Sequence, residues 1–267
     1  MTNADKCTRL FIFKIGTMSE RRIMQYNNIA FIGFGLIAGS IAKAIRKYRP
    51  ESIIYAYTNN RSELLKGKSD GIIDIILEGI DNTLSDCDIV FLCTPVEFND
   101  KYLNDIKPYI RKDAIITDVG STKSSIHSLA KELELEDVFI GGHPMAGSKK
   151  TGYDASDALL LENAYYMITP SSKINADKLK AFSGIIESIK AIPFVIDYQK
   201  HDKVVATISH LPHIIAAALV NLVSENDYND GVMKRVAAGG FKDITRIASA
   251  SPIMWEQICM LNSESIN

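Results

Sequence analysis

From Asn28 onward, short runs of apolar residues alternate with segments of helical periodicity. Ile29-Ala30-Phe31-Ile32 is the first run and ends in glycines. Leu36 to Tyr48 follows, with Ile37, Ile41, Ala44 and Ile45 on one helical face. Ile53 to Tyr57 is β-branched and aromatic, which predicts a strand. Further apolar runs lie at Ile89 to Cys93, Ala114 to Asp118, Val138 to Gly142, Ala164 to Ile168 and Ile192 to Ile196. Strands that are apolar at every position are those covered on both faces. The pattern predicts an α/β fold, a doubly wound and mostly parallel sheet of Rossmann type.

After about Asp197 the strand pattern stops. Val204 to Val223 is apolar and Ala-rich with Pro212 inside it, and Val232 to Ala250 and Ile253 to Leu261 also have helical patterning. This divides the chain into a sheet-bearing domain, residues 28–197, and an all-helical domain, residues 198–267. Residues 1–27 mix charge with a short apolar patch and are expected to be an extension; an edge strand from Leu10 to Ile15 is the alternative.

Composition narrows the class. Among 267 residues, 46% are hydrophobic, and 30 Lys plus Arg face 32 Asp plus Glu, so no basic excess points to nucleic acid. Cys7, Cys87, Cys93 and Cys259 have no paired CxxC spacing, so neither a disulfide framework nor a zinc site is expected, and a reducing cytoplasm is the default. The apolar stretch Ile29 to Ala42 is shorter than the roughly 20 residues of a membrane helix. Leu10 to Phe13, broken by Lys14, does not make a secretory signal. No membrane partner is expected.

Candidate chemistry begins where the first strand meets Gly33-Phe34-Gly35-Leu36-Ile37-Ala38-Gly39. This is G-x-G-x-x-A between a strand and a helix. Gly33 allows the tight turn, Gly35 lets backbone approach a pyrophosphate, and Ala38 lets the helix pack close to the sheet. The first helical residues, Leu36 and Ile37, offer free N–H groups to the phosphates. Thr94, Pro95 and Asp118, at later strand ends, complete the expected cofactor set. An NAD-specific site carries an acidic residue at the end of the second strand. Here the stretch is Tyr57-Thr58-Asn59-Asn60-Arg61, with no carboxylate before Glu63. Thr58 and Arg61 suit a 2′-phosphate instead, so NADP is expected to be accepted beside NAD; the alternative is that Arg61 is a solvated loop charge.

Two further loops follow strands: Asp118-Val119-Gly120-Ser121-Thr122-Lys123 and Gly141-Gly142-His143-Pro144-Met145-Ala146-Gly147-Ser148. A histidine directly after a strand, between Gly and Pro, is placed to act as a base near neutral pH. His210 and His213 are three residues apart and share a helix face, but no HExxH or third acidic ligand accompanies them, so no metal is expected.

With the glycine-rich turn and these two loops, His201-Asp202, Ser209-His210-Leu211-Pro212-His213, the stretch Gly239 to Ala248 and Ser251-Pro252-Ile253-Met254-Trp255 stand in one order over roughly residues 28–262. In this the chain resembles the prephenate dehydrogenase family, which includes arogenate dehydrogenases. The resemblance implies an NAD(P)-dependent oxidative decarboxylation of prephenate to 4-hydroxyphenylpyruvate in tyrosine biosynthesis, with arogenate as the alternative substrate. It implies that His143 takes the proton of the ring hydroxyl, that Ser121 orients that hydroxyl, and that Arg246 clamps a substrate carboxylate. It places His213 and His210 along the substrate pocket, with helix packing the alternative for His210, and puts His201 near the active site. Lys242 and Asp243 become pocket or interface residues, and Trp255 belongs either to the core or to the partner subunit's site. Lys149 stands where the family often has an acidic residue linked to feedback by tyrosine. The chain also stops soon after Trp255, where the family usually continues. The apolar helices after residue 200 are expected to build a homodimer. A dehydrogenase acting on 3-hydroxy acids and a non-catalytic NAD(P)-binding sensor are the competing readings.

Overall fold

The computed structural model describes residues 26–148 and 150–267. Residues 1–25 of the expected extension, with its alternative edge strand, and Lys149 lie outside the described residues, whereas Tyr26, placed in the extension, is packed in the core.

The first five strands, β1 (Asn28–Ile32), β2 (Ile53–Tyr57), β3 (Ile75–Ile76), β4 (Ile89–Leu92) and β5 (Ile115–Asp118), form one parallel sheet in the order β3-β2-β1-β4-β5. The apolar runs are continuous because both faces are covered. Ile29, Phe31, Ile89 and Phe91 pack into one core with Ile41, Ile45 and Phe182, while Ala30, Ile32, Val90 and Leu92 pack into the other with Leu103, Ile116 and Phe139. Helix α1 (Leu36–Tyr48) follows β1 and buries Ile41, Ala44 and Ile45, as its periodicity predicts. Helix α2 (Arg61–Ser69) joins β2 to β3 and α3 (Asn99–Ile106) lies between β4 and β5, while β3 reaches β4 through a 3₁₀ turn, Asn82–Asp86, and α4 (Ser124–Glu132) follows β5. Strand β3, only two residues long, is too short for a sequence pattern to show.

The last three strands depart from the single sheet that the sequence pattern predicts. β6 (Ile140–Pro144), β7 (Tyr165–Pro170) and β8 (Ile192–Val195) form their own sheet, with β6 antiparallel to β7 and β7 parallel to β8. One bridge, Ile116 to Phe139, ties this sheet to β5. The reason is the connection. Between β6 and β7 there is a loop with one 3₁₀ turn, Tyr153–Ala155, and no crossover helix, so the chain returns antiparallel. Helix α5 (Ala176–Ser188) supplies the crossover between β7 and β8. β6 also extends to Pro144, so His143 lies within the strand, opposite Met167, and not after it.

The helical part opens with α6 (Tyr198–Val205), a π-helical turn (Ala206–His210) and α7 (Leu211–Asn226), which run on as one helix. The wide turn precedes Pro212. Proline has no N–H and its ring crowds the carbonyl four residues back, so the helix relaxes there. The predicted helix from Val232 to Ala250 is broken into α8 (Val232–Val236), α9 (Gly239–Thr245) and a 3₁₀ turn, Arg246–Ser249, because Ala238 is extended ahead of the Gly239-Gly240 pair. Helices α10 (Pro252–Leu261) and α11 (Ser263–Ile266) close the chain. The helix from Tyr198 to Asn226 has 29 residues and is long and apolar enough to cross a membrane by length and composition. Its polar residues His201, Asp202 and His210 are nevertheless bonded inside the protein. Ile208, Ile215 and Leu222 stand exposed, as do Val236, Ile253 and Met260, the kind of apolar surface that a protein partner covers.

Candidate active site

Strands β2 and β3 are added on one side of β1 and β4 and β5 on the other, and the crevice at the carboxyl ends of β1 and β4, where the winding switches sides, is where such sheets bind ligands. Gly33 closes β1 with φ +88, and its N–H donates to the Tyr57 carbonyl at 2.7 Å. A Cβ there would meet the Cys93 carbonyl group at 2.8 Å, so only glycine lets the two strand ends touch. Gly35 faces open space, which is what close approach of a pyrophosphate needs. Ala38 is buried as expected, and the additional glycine has its own reason: a Cβ on Gly39 would strike the Tyr153 ring and Ser156. Leu36 and Ile37 begin α1, whose first N–H groups have no side-chain cap. Across the crevice the Thr94 hydroxyl is buried with no hydrogen-bond partner among the described residues, beside the exposed Pro95. An orphaned hydroxyl beside the Gly33 turn, uncapped helix N–H groups and an open glycine together fit a dinucleotide phosphate.

At the end of β2, Thr58 accepts from the Asn60 N–H at 3.5 Å. Arg61 begins α2 and grips Glu78 with two bonds of 2.7 and 3.2 Å, both partners solvent-exposed. Glu63, the nearest carboxylate in sequence, turns away and accepts the Tyr153 N–H at 3.2 Å. No acidic residue thus closes the end of β2.

The Asp118 side chain, expected in the cofactor set, is taken up by protein partners. Its carboxylate is buried, accepts the Gly120 N–H at 2.9 Å and the Gly142 N–H at 3.1 Å, and pairs with the Lys123 ammonium. It braces the end of β5 against β6. Lys123 is wholly buried; burial pulls its pKa down, and the Asp118 carboxylate opposes that.

His143 is half-buried on β6, and its Nδ1 bonds His201 Nε2 at 2.9 Å. His201 Nδ1 in turn meets Asp202 Oδ1 at 2.8 Å. Both carboxylate oxygens of Asp202 accept backbone N–H groups at the start of α4, from Lys123 and Ser124, at 2.8 Å each. Burial works against the ionised Asp202, yet the bonds from His201, Ser124 and Lys123 outweigh it and hold the carboxyl down to about 2. His143 is pushed well below the usual histidine value, by burial first and then by the positive charges His201, Lys123 and His210 can carry. A neutral imidazole at pH 7 is the form a base needs. Ser121 stands part-exposed three residues beyond β5, and among the described residues its side chain takes no hydrogen bond, from His143 or any other group.

His210 does not line an open pocket. It is 1% exposed, and its Nδ1 accepts from Asn262 Nδ2 at 3.1 Å while Trp255 covers it edge-on. The packing alternative describes this surrounding of His210 by Asn262 and Trp255. His213 stacks face to face on Trp255 at 3.6 Å. The Trp255 indole N–H is itself buried without a partner among the described residues. Arg246 opens the 3₁₀ turn after α9; it and Lys242 are exposed, with no carboxylate paired to either among the described residues. Gln257 on α10 bonds Glu97, two residues past Pro95, so the helical part reaches the loop beside the crevice. Among the described residues no three His, Cys, Asp or Glu side chains are grouped to hold a metal.

The roles of Asp202, Lys123 and Asn262 were not legible beforehand. Asp202 acts on a helix 78 positions away, and no local pattern announces that.

A family model described as the nucleotide-binding domain of prephenate dehydrogenase matches residues 41–194, and one described as the prephenate dehydrogenase dimerization domain matches residues 197–267. The prephenate dehydrogenase of Bacillus subtilis is 37% identical over 242 residues, 90% of this chain and 65% of that protein's length. Among solved structures, the prephenate dehydrogenase of Aquifex aeolicus in complex with hydroxyphenyl propionate and NAD+ superposes with TM-score 0.83 at 32% identity, covering 90% of this chain and 84% of that one. The Synechocystis arogenate dehydrogenase does so with TM-score 0.79 at 29% identity, covering 90% and 85%.

Proposed function

Because the chain belongs to the prephenate dehydrogenase family, we propose that it performs the NAD(P)-dependent oxidative decarboxylation of prephenate to 4-hydroxyphenylpyruvate. The observation that carries this is His143, neutral, with Nδ1 held by His201 and Nε2 left as its remaining ring nitrogen. His143 Nε2 takes the proton of the ring 4-hydroxyl, which raises electron density on the carbon that loses hydride. The dinucleotide, when bound, supplies the hydride acceptor. Gly33, Gly35, Leu36, Ile37, Thr94 and Pro95 hold it, Ser121 orients the hydroxyl with its unclaimed side chain, and Arg246, with Lys242 and His213, holds the substrate's anionic groups. Loss of the ring carboxylate as CO₂ makes the ring aromatic and drives the reaction. In this reading residues 28–197 are the nucleotide-binding domain and residues 198–267 pair with a second copy through their exposed apolar helices. The test is reduced-nicotinamide absorbance with prephenate and with arogenate; turnover of neither overturns the reading. The likeness to the Synechocystis enzyme makes arogenate the second reading, and the ratio of the two kcat/KM values decides between them.

Two further outcomes follow. Arg246→Gln raises KM for the substrate by about 10–10²-fold with little change in kcat, since it removes a charge-assisted bond made alike in ground and transition states. An unchanged KM removes Arg246 from the site. On the cofactor side, the Arg61–Glu78 pair lies in solvent, where such a pair is weakly held and Arg61 can be recruited by a 2′-phosphate. Arg61→Ala therefore weakens NADP more than NAD, and Glu78→Gln favours NADP, read as the ratio of kcat/KM for the two cofactors. A ratio unmoved by both substitutions excludes Arg61 as the phosphate ligand.

A further inference from the structure

We propose that His201 and Asp202 are positioning residues that fix the tautomer of His143, keeping its hydrogen on Nδ1 and its lone pair on Nε2. This deepens the reading of His143 as the base and rests on it.

With His201 neutral, the direction of every hydrogen bond in the row is set from one end. An ionised carboxylate only accepts. Asp202 cannot swing to another partner, because the Lys123 and Ser124 N–H groups hold both its oxygens at 2.8 Å. The His201 nitrogen 2.8 Å from it, Nδ1, must therefore carry the hydrogen. A neutral His201 then has only a lone pair on Nε2. That lone pair accepts from His143 Nδ1 at 2.9 Å, so the hydrogen of His143 is on Nδ1. What remains on His143 is an unprotonated Nε2. A neutral imidazole left to itself favours the opposite form, with its hydrogen on Nε2, and that form cannot take a proton there. The row converts a buried carboxylate on α6 into a correctly poised base on β6.

The elements around the row leave little freedom. His201 is wholly buried and Asp202 is 2% exposed, so water does not compete for these bonds. Asn262 donates to the Asp202 carbonyl at 2.9 Å, which pins this turn of α6 from the end of the chain. The charged or titratable groups facing His143 are His201 and Asp202 on α6, Lys123 ahead of α4 and His210 on the π turn. Of these, the Asp202 carboxylate alone favours the imidazolium. When His143 takes the hydroxyl proton on Nε2, its Nδ1 hydrogen stays in place. One proton moves, and the new positive charge is stabilised along the row toward Asp202. The same bonds tie the helical part to the β5–α4 loop that carries Ser121, so base and orienting hydroxyl share one support.

The test is ¹⁵N NMR of the full chain with labelled histidine, without cofactor or substrate, the His143 signals being assigned by their loss in His143→Asn. The expected result at neutral pH is a protonated, pyrrole-type Nδ1 and an unprotonated, imine-type Nε2 on His143. In His201→Phe the His143 signals move toward the Nε2–H form. His201→Gln, whose amide can still accept from His143 and donate to Asp202, retains more of the native form. In turnover, His201→Phe lowers kcat by about 10²-fold with KM changed less than twofold, as expected when only the base's tautomer is lost. A wild-type His143 with its hydrogen on Nε2 overturns the proposal without any variant. So do signals unchanged in both His201 variants. A native tautomer in a protein that turns over neither prephenate nor arogenate instead overturns the functional reading and leaves the row standing.

Discussion

His143→Asn lowers kcat by about 10²–10⁴-fold, the usual worth of a general base, while the protein folds as before. The substitution is chosen for what it keeps. Asparagine places a polar atom near the position of the imidazole Nδ1, so the bond toward His201 can persist, and β6 continues to pair with β7 at Met167. It removes only the basic nitrogen. The pH profile carries the second half of the expectation. A base works when unprotonated, and His143 has its pKa pushed well below the ordinary histidine value of 6.5 by burial and by its positive neighbours. Wild-type kcat therefore stays level as pH falls through 6.5 and drops only on the acid side, where His143 takes a proton. In the asparagine variant that acid limb is gone. Circular dichroism and a thermal melt establish the fold, and initial rates across pH give both readings. A variant within threefold of wild type, with the acid limb intact, removes His143 from the chemistry.

How much of this was legible beforehand follows from how local each cause is. The turn from β1 to α1 is written in neighbouring residues, so the helix Leu36–Tyr48 and the tight turn at Gly33 were readable there, whereas the Cys93 carbonyl that a Cβ at position 33 would meet was not. The two-sided burial of β1, β4 and β5 is written into their unbroken apolar runs. The second sheet was not legible, because an apolar run has no direction. What reversed β6 against β7 is the missing crossover helix between them, and a loop leaves no periodic pattern. The site divides in the same way. His143 stood out through its glycine and proline neighbours, but its partner lies 58 positions on. Asp118 looked like a cofactor ligand because it ends a strand. Its use was decided by Lys123 and by the Gly142 N–H, which become its neighbours only after β5 and β6 are in place. His210 and His213 do share a helix face, as their spacing predicts, but the Trp255 ring that covers both lies more than forty positions on and no local pattern shows it.

Lys123→Met destabilises the fold by about 3–5 kcal/mol, the cost of breaking a buried ion pair from one side. The Lys123 side chain is 0% exposed and its partner carboxylate on Asp118 is 2% exposed. Methionine fills much of the space of the lysine stem, so the loss is one of charge rather than volume. Asp118 keeps the Gly120 and Gly142 N–H bonds, which places the effect within that range and not beyond it. The double variant Asp118→Asn with Lys123→Met removes the stranded charge and is expected to recover most of the loss, because a buried pair is worth little against its own desolvation. Urea unfolding of wild type, both single variants and the double variant at pH 7 gives the coupling directly. A loss under 1 kcal/mol in Lys123→Met would show instead that Asp118 rests on its backbone partners alone. The brace between β5 and β6 would then owe nothing to the lysine.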